Sequence, residues 1–180
     1  MSGATVVGYS WFIEEYMGGG DYILGMTFVR GLSPAEALHR IGATPGDVSR
    51  DWAIEAYAAD GGAVLIDLHC YEIPEALSRG TETARLVTGT TMDEEFVYSV
   101  DGVVATRFEP SFPDDREGSD PDYLLTHMRD LGMPLDGEEF TDTRTARDLA
   151  LVLAVRATGV SLTPAHHAVP SITGSTDCPS

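Results

Sequence analysis

Two runs rich in Val, Tyr, Thr and Phe flank an Asp-Gly pair in the middle of the chain. Asp101 and Gly102 separate residues 95–100 from residues 103–108. Such a pair accepts the positive φ angles of a two-residue type I′ turn, so the pattern predicts a β-hairpin. The preceding run, residues 83–90, has the same character and supplies a third antiparallel strand. The sequence therefore predicts a three-stranded meander around which the rest of the chain is organised.

The turn also predicts which side chains of the hairpin share a face. Counting outward from it pairs Tyr98 with Ala105 and Phe96 with Arg107 on the drier face. Arg107 would then lie among apolar side chains. Its stem would pack at the edge of the core, or its guanidinium group would project into a pocket.

The clearest helix signal begins at Ser33. Ser33, Pro34 and Glu36 form a capping box, in which the hydroxyl and the carboxylate bind backbone amides that a helix start leaves unpaired. Gly42 suits the left-handed residue that follows a helix end. Apolar spacing and flanking caps predict three further helices. These cover residues 49–59, 121–131 and 143–158.

Two apolar runs before the meander predict strands. Residues 22–29 have the composition of a buried strand, in which Gly25 marks a bulge or the close approach of a neighbouring backbone. Residues 63–71 alternate between apolar and polar side chains. Asp67 and His69 share the polar face of that run, so we expect a half-covered strand there.

Together these elements predict an α+β fold, with an antiparallel sheet of about five strands and helices packed mainly on one face. At 180 residues the chain is long enough for a single domain with a sizeable core. We place that domain at residues 1–163, in which residues 9–17 fit a helical and a strand period equally well. Residues 164–180 are rich in Pro, Ser, Thr and His, which predicts a flexible C-terminal tail.

Charge narrows the classes of function. The formal net charge is −18 and the isoelectric point is near 4.3. Direct binding to nucleic acid or to an anionic membrane is therefore disfavoured, and a basic protein partner is favoured. The plain alternative is an acidic surface that favours solubility. All eleven basic residues are arginine, and the absence of lysine excludes Schiff-base chemistry and a phosphate-binding P-loop.

Signals for a cell compartment are few. No apolar run reaches the ~18 residues of a membrane helix. The first residues lack the basic and apolar blocks of a secretory signal. Cys70 and Cys178 make a poor disulfide pair, since one lies in a strand-like run and the other in a polar segment. We expect a cytoplasmic protein, and the sequence leaves its oligomeric state open.

Motifs that carry chemistry are scarce. The chain has no HExxH, CxxC or G-x-S-x-G motif and no G-x-G-x-x-G after a strand, so we expect neither a metal site nor a cofactor. His69 and Asp67 share a strand face and are the candidate acid-base pair. The alternative is that His69 has no catalytic role and that its hydrogen bonds are satisfied within the strand. Arg30 and Arg107 are the candidate ligand-binding residues, because Arg30 lies where a strand leads into a helix.

Several ordered motifs make the chain similar to a known family. They are Tyr9-x-Trp11, residues 27–34 (TFVRGLSP), residues 38–43 (LHRIGA), residues 77–81 (LSRGT) and residues 96–110 around the Asp-Gly pair. Over roughly residues 9–162 the chain resembles an uncharacterised bacterial, actinomycete-type family built on a domain of unknown function. The resemblance implies a common fold unit and no known activity. The chain departs from the family pattern around residues 63–72.

Three functional hypotheses follow. The favoured one is a non-catalytic acidic protein-interaction module, such as an inhibitor or immunity-type protein, that presents carboxylates to a basic target. The second is a small-molecule-binding protein or an enzyme that uses the polar face of residues 63–71. The third is a nucleic-acid mimic with carboxylates at phosphate-like spacing. The charge and the missing catalytic motifs favour the first, and a concave polar site on the fold would favour the second.

Overall fold

A single antiparallel sheet organises the fold. The computed structural model describes residues 9–17, 22–46, 53–68, 72–90, 94–138 and 140–176. The strands are β1 (Ile23–Arg30), β2 (Thr44–Pro45), β3 (Ile54–Ala59), β4 (Gly62–Asp67), β5 (Glu82–Gly89), β6 (Glu95–Val100), β7 (Val103–Phe108) and β8 (Ile172–Ser175). Their order is β2-β8-β3-β4-β1-β5-β6-β7. The predicted α+β class is confirmed, but in the described part of the chain the sheet has eight strands rather than about five.

Helices lie on both faces of the sheet. They are α1 (Ser10–Met17), α2 (Pro34–Arg40), α3 (Leu125–Asp130), α4 (Thr143–Thr158) and α5 (Pro164–His167), with a 3-10 helix at Glu75–Ser78. Helices α1, α3 and α4 pack on one face, and α2 and the 3-10 helix pack on the other. None of the helices in the described ranges combines the length and the apolar character needed to cross a membrane.

Side chains alternate between the two faces of each strand, and each face contributes to a separate hydrophobic core. Phe28, Ile66 and Phe96 point to the face that carries α4, and Val29 and Leu65 point to the face that carries α2. Strand β4 is buried on both faces along almost its whole length. This corrects the expectation of a half-covered strand, because α2 covers the side that the sequence pattern left open.

Strand β3 occupies a segment predicted to be helical. The helix expected over residues 49–59 is wrong for residues 54–59, which pair with β4 and place Tyr57 opposite Val64. The remaining predicted positions lie largely outside the described residues. The helix preference of alanine over other ordinary residues is less than about 0.7 kcal/mol per residue. Pairing with strands on both sides outweighs that preference.

The predicted turn of the central hairpin is confirmed. Asp101 and Gly102 have φ angles of 48° and 80°, as a type I′ turn requires. Val100 lies opposite Val103, and β5, β6 and β7 form the predicted meander. The strongest short-range signal in the sequence therefore produces the structure that it predicts.

The predicted register of the hairpin fails a few residues from the turn. A bulge shifts the pairing by one residue, so Phe96 lies opposite Phe108, with ring centroids 5.0 Å apart. The predicted pairing of Phe96 with Arg107 is wrong. Arg107 instead pairs with Val97 and turns to the other face, where its side chain is 48% exposed. The bulge buries both phenylalanines in one core, which explains why it is favoured.

Helix capping follows the sequence closely. The Ser33 hydroxyl accepts a hydrogen bond from the amide of Glu36. The Glu36 carboxylate accepts a hydrogen bond from the amide of Ser33, at 2.9 Å. Helix α4 has the predicted bounds and is capped by Asp142. The helix predicted from residue 121 begins only at Leu125, because the residues between form turns.

Regular structure extends further toward the C-terminus than composition predicts. Residues 164–176 contain α5 and β8. Strand β8 lies between β2 and β3, with Gly174 opposite Ile54. The side chain of Thr163 caps α5 by accepting a hydrogen bond from the amide of His166.

Candidate functional site

Over β5, β6 and β7, one sheet face carries no α-helix among the described residues, and the 3-10 helix contacts these three strands. Helix α2 covers this face over β3 and β4, whereas over β5, β6 and β7 it opens into a groove of about 1130 Å³. Two chain segments, residues 72–75 and residues 109–117, flank the sheet in the lining of the groove. This volume lies at or above the upper end of pockets for small ligands, so the groove has room for a longer occupant.

A row of side chains across four strands forms the floor of the groove. Thr27, Arg85, Val97 and Arg107 are successive register partners on β1, β5, β6 and β7. All four line the groove. Because neighbouring strands lie ~4.8 Å apart, the backbones of the two arginines are roughly 10 Å apart. The floor therefore carries two guanidinium groups separated by one apolar side chain.

A buried ion pair holds the inner arginine. Arg85 donates to the Asp67 carboxylate at 3.0 Å and to the Thr27 hydroxyl at 2.9 Å. The Asp67 side chain is fully buried and that of Arg85 is 12% exposed. A buried charge without a partner of opposite sign is strongly destabilising, so the pairing with Asp67 sets the orientation of the Arg85 side chain.

Gly25 makes room for this ion pair. It lies opposite Asp67 in the ladder between β1 and β4. A β-carbon at this position would lie 2.5 Å from Oδ2 of Asp67 and 2.6 Å from the guanidinium group of Arg85. The strand pairs regularly here, so the approaching atoms belong to side chains, whereas the sequence predicted a bulge or an approaching backbone.

The groove carries an excess of negative charge. Its described lining residues include seven carboxylates, those of Glu72, Glu75, Glu94, Glu95, Glu109, Asp115 and Glu117. Its two arginines are each paired, Arg85 with Asp67 and Arg107 with Glu117 at 2.7 Å. The bond to Glu117 raises the pKa of Arg107, which therefore stays charged. A concave surface of this kind concentrates a negative potential.

The loop after β7 is anchored by a nearly buried arginine. The Arg116 side chain is 11% exposed, and it donates to the Pro113 carbonyl at 2.7 Å and to Asp122 at 2.8 Å. The same loop presents Phe112, which is 40% exposed, to the groove. A well-held loop thus carries an exposed aromatic ring at the edge of the candidate site.

A second polar cluster lies where α1, β3 and α5 meet. The Tyr16 hydroxyl lies 2.9 Å from Glu55 and 2.9 Å from Nε2 of His167. The Tyr57 hydroxyl donates to the same Glu55 oxygen at 2.8 Å. Because a carboxylate can only accept hydrogen bonds, the hydroxyl groups of both tyrosines donate to Glu55. His167 therefore donates from Nε2 to the Tyr16 oxygen.

Aromatic rings enclose His167 in this cluster. The imidazole stacks on Tyr57 with ring centroids 4.8 Å apart, and its side chain is 12% exposed. Three further rings meet it at an angle, those of Trp11, Phe12 and Tyr16. Burial raises the pKa of Tyr57, and the adjacent Glu55 carboxylate raises it further. Sequence reasoning missed this cluster because Tyr16 and His167 lie 151 residues apart; the aromatic density of residues 9–17 was its local signal.

The structure brings two of the four candidate site residues to the groove. Asp67 lies beneath its floor and Arg107 lines it. By strand alternation, Arg30 points to the opposite face of the sheet, where it binds Glu82 at 3.0 Å. His69 lies outside the described residues. Within the described ranges, no three potential metal ligands come together.

Fold and groove define an α+β protein with an open acidic sheet face. A family model described as "Family of unknown function (DUF6461)" matches residues 48–169. This match spans more than half of the chain, so the chain belongs to that family. The predicted membership in a domain family of unknown function is thereby confirmed. No curated protein and no solved structure matches the chain.

Proposed function

We propose that this protein is a non-catalytic binding module, and that its groove takes an extended, arginine- or lysine-rich segment of a partner protein. One observation carries the proposal: the described lining of a groove of about 1130 Å³ has seven carboxylates and two arginines, of which Arg107 pairs with the lining residue Glu117 and Arg85 with the buried Asp67. A concave negative surface attracts cationic segments and speeds their association. The net charge of −18 adds a favourable long-range field.

The dimensions of the groove suit an extended segment. Crossing three strands and the two flanking chain segments takes roughly 20 Å. About six residues of extended chain cover that distance. Successive side chains of an extended segment point to opposite sides, so basic residues at alternate positions face the carboxylates together.

A bound segment has to lie across the sheet face, because the outer edge of β7 is occupied. The amide of Arg107 donates to the carbonyl of Glu117 at 2.8 Å, and the amide of Glu117 donates back at 3.0 Å. Ser119 extends this pairing by donating to the carbonyl of Val104. Strand addition at this edge is therefore blocked, which leaves side-chain recognition in the groove as the mode of binding.

Fluorescence anisotropy with a labelled peptide of alternating arginine and glycine tests the proposal. The protein should bind the peptide, and its affinity should fall with rising salt because surface charge attraction is screened. The triple variant Glu72→Gln, Glu75→Gln, Glu95→Gln removes three exposed groove charges. Exposed ion pairs contribute about 0.2–1 kcal/mol each, so we expect this variant to bind about tenfold more weakly.

A matched variant separates the groove from the overall charge. Glu14→Gln, Asp136→Asn and Glu138→Gln remove the same number of exposed carboxylates at positions outside the lining. This variant should keep the affinity of the wild-type protein. Equal losses in both triple variants would show that the attraction comes from the whole surface and would refute a groove site. A peptide of alternating glutamate and glycine should not bind.

A further inference from the structure

The groove contains an apolar strip beneath its acidic rim. Its partly exposed members come from β6, β7 and the chain before the 3-10 helix: Ile73, Pro74, Val97 and Val104. Phe112 lies in the same lining and is the bulkiest exposed member of the strip. Exposed apolar side chains among charged ones are typical of an interaction site.

Phe112 is not needed by the hydrophobic cores. Neither of the two cores includes it, and 40% of its surface is exposed. Its neighbour Pro113 is buried. Phe112 is thus partly exposed on the groove side and belongs to neither core.

Backbone hydrogen bonds fix the position of Phe112 in the loop before any partner binds. The amide of Phe112 donates to the carbonyl of Glu109 at 2.9 Å, and the amide of Asp115 donates to the carbonyl of Phe112 at 3.1 Å. Arg116 closes the loop by donating to the Pro113 carbonyl. A loop held in this way loses little backbone freedom on binding, which favours affinity.

A carboxylate accompanies the ring. Asp115 is exposed and lines the groove three residues after Phe112, so one turn carries both residues. The face of an aromatic ring attracts a guanidinium or ammonium group, and a carboxylate accepts its N–H groups. An aromatic ring beside a carboxylate is the chemistry that recognises an arginine or lysine side chain.

We propose that Phe112 is the residue that selects cationic side chains in the groove, with a partner arginine or lysine stacked on its ring and paired with Asp115. This inference rests on the proposed function of the groove. It goes further by making recognition depend on an aromatic face as well as on charge. Removal of the ring at constant charge therefore distinguishes it from simple electrostatic attraction.

The test uses the labelled arginine-glycine peptide and three single variants. Phe112→Leu keeps apolar bulk but removes the aromatic face, and it should weaken binding about threefold to tenfold. Phe112→Trp keeps an aromatic face and should bind at least as tightly as the wild-type protein. Tyr123→Leu removes another exposed aromatic residue, one outside the lining, and should leave affinity unchanged.

The outcomes separate this inference from the proposed function. If the wild-type protein binds the peptide and Phe112→Leu binds it equally well, the selecting role of Phe112 is refuted while the acidic groove stands. If the wild-type protein does not bind the peptide at all, the proposed function falls and this inference falls with it. Thermal denaturation of Phe112→Leu should match the wild-type protein, because the residue lies outside both cores.

Discussion

Gly25 lies opposite Asp67 on the neighbouring strand, and the side chain that Gly25 lacks leaves the space that the Asp67 carboxylate fills. Arg85 enters the same space from β5 and donates to Asp67 at 3.0 Å. Glycine in a strand interior is unfavourable by itself. Here it allows a buried charge pair that positions an arginine on the floor of the groove.

Replacement of Gly25 by alanine should be destabilising. The new β-carbon would lie 2.5 Å from the Asp67 carboxylate, so the ion pair or the strand has to shift, at a cost of about 1–3 kcal/mol. Urea denaturation monitored by circular dichroism measures this change. Gly46→Ala is the matched control, because no atom lies within 4 Å of a β-carbon there. An unchanged unfolding midpoint for Gly25→Ala would contradict the packing that we describe.

Removal of the Asp67 carboxylate should cost more than the loss of a surface ion pair. Asp67→Ala removes a fully buried carboxylate to which the Arg85 guanidinium, itself 12% exposed, is bound, and we expect about 3–5 kcal/mol of destabilisation. Combining Asp67→Leu with Arg85→Met removes both charges and should restore most of that loss. Glu82→Gln breaks the pair with Arg30, whose side chain is 58% exposed, and should cost less than about 1 kcal/mol. Similar losses from Asp67→Ala and Glu82→Gln would refute a structural role for the buried pair.

His167 should anchor the C-terminal strand. Within the described ranges, no residue after Leu162 belongs to either core, whereas four aromatic rings surround His167. An aromatic contact contributes about 0.5–1.5 kcal/mol beyond its burial. His167→Ala should therefore speed amide exchange in β8 and in its partner β3, as measured by mass spectrometry. His39→Ala, at an exposed position on α2, is the control and should leave exchange in β8 unchanged.

The cap of α4 should make stability depend on pH. The Thr145 hydroxyl and the Arg144 amide bind the Asp142 carboxylate and lower the pKa of Asp142 below its ordinary value of 3.8. Because the folded-state pKa is the lower one, this contribution is complete above the unfolded-state pKa and is lost as the pH falls through the folded-state pKa. The urea midpoint should therefore fall more steeply with acidification in the wild-type protein than in Asp142→Asn, which caps without a charge. Parallel pH profiles would rule out the carboxylate cap.

Elements defined by neighbouring residues were predicted well. The Asp101-Gly102 turn, the Ser33 capping box and the bounds of α4 all follow from contacts within a few residues, and the structure contains each of them. Their free energy depends on backbone conformation and on nearby amides, both of which the local sequence specifies. The same logic found the meander but not the bulge within it, because the bulge depends on the burial of Phe96 and Phe108 on different strands.

The candidate site was predicted only in fragments. The acidic character of the protein and the residues Asp67 and Arg107 were visible in the sequence, but Arg85, Phe112 and the flanking segments were not. Arg85 and Asp67 are 18 residues apart in the chain, and they meet because β1 lies between their strands. No local pattern records that strand order, so the partner of Asp67 could not be inferred.

The sequence by itself determined the local instructions of this protein: where the turns and caps lie, that the charge is strongly negative, and that lysine chemistry is absent. Only the tertiary structure decided the strand order, the pairing of the alanine-rich segment as β3, and which half of one sheet face forms the groove. The physical reason is one of range. Turns and caps gain their free energy from contacts a few residues apart, whereas a groove is formed by the placement of distant segments, and that placement is settled by the burial of the whole chain together.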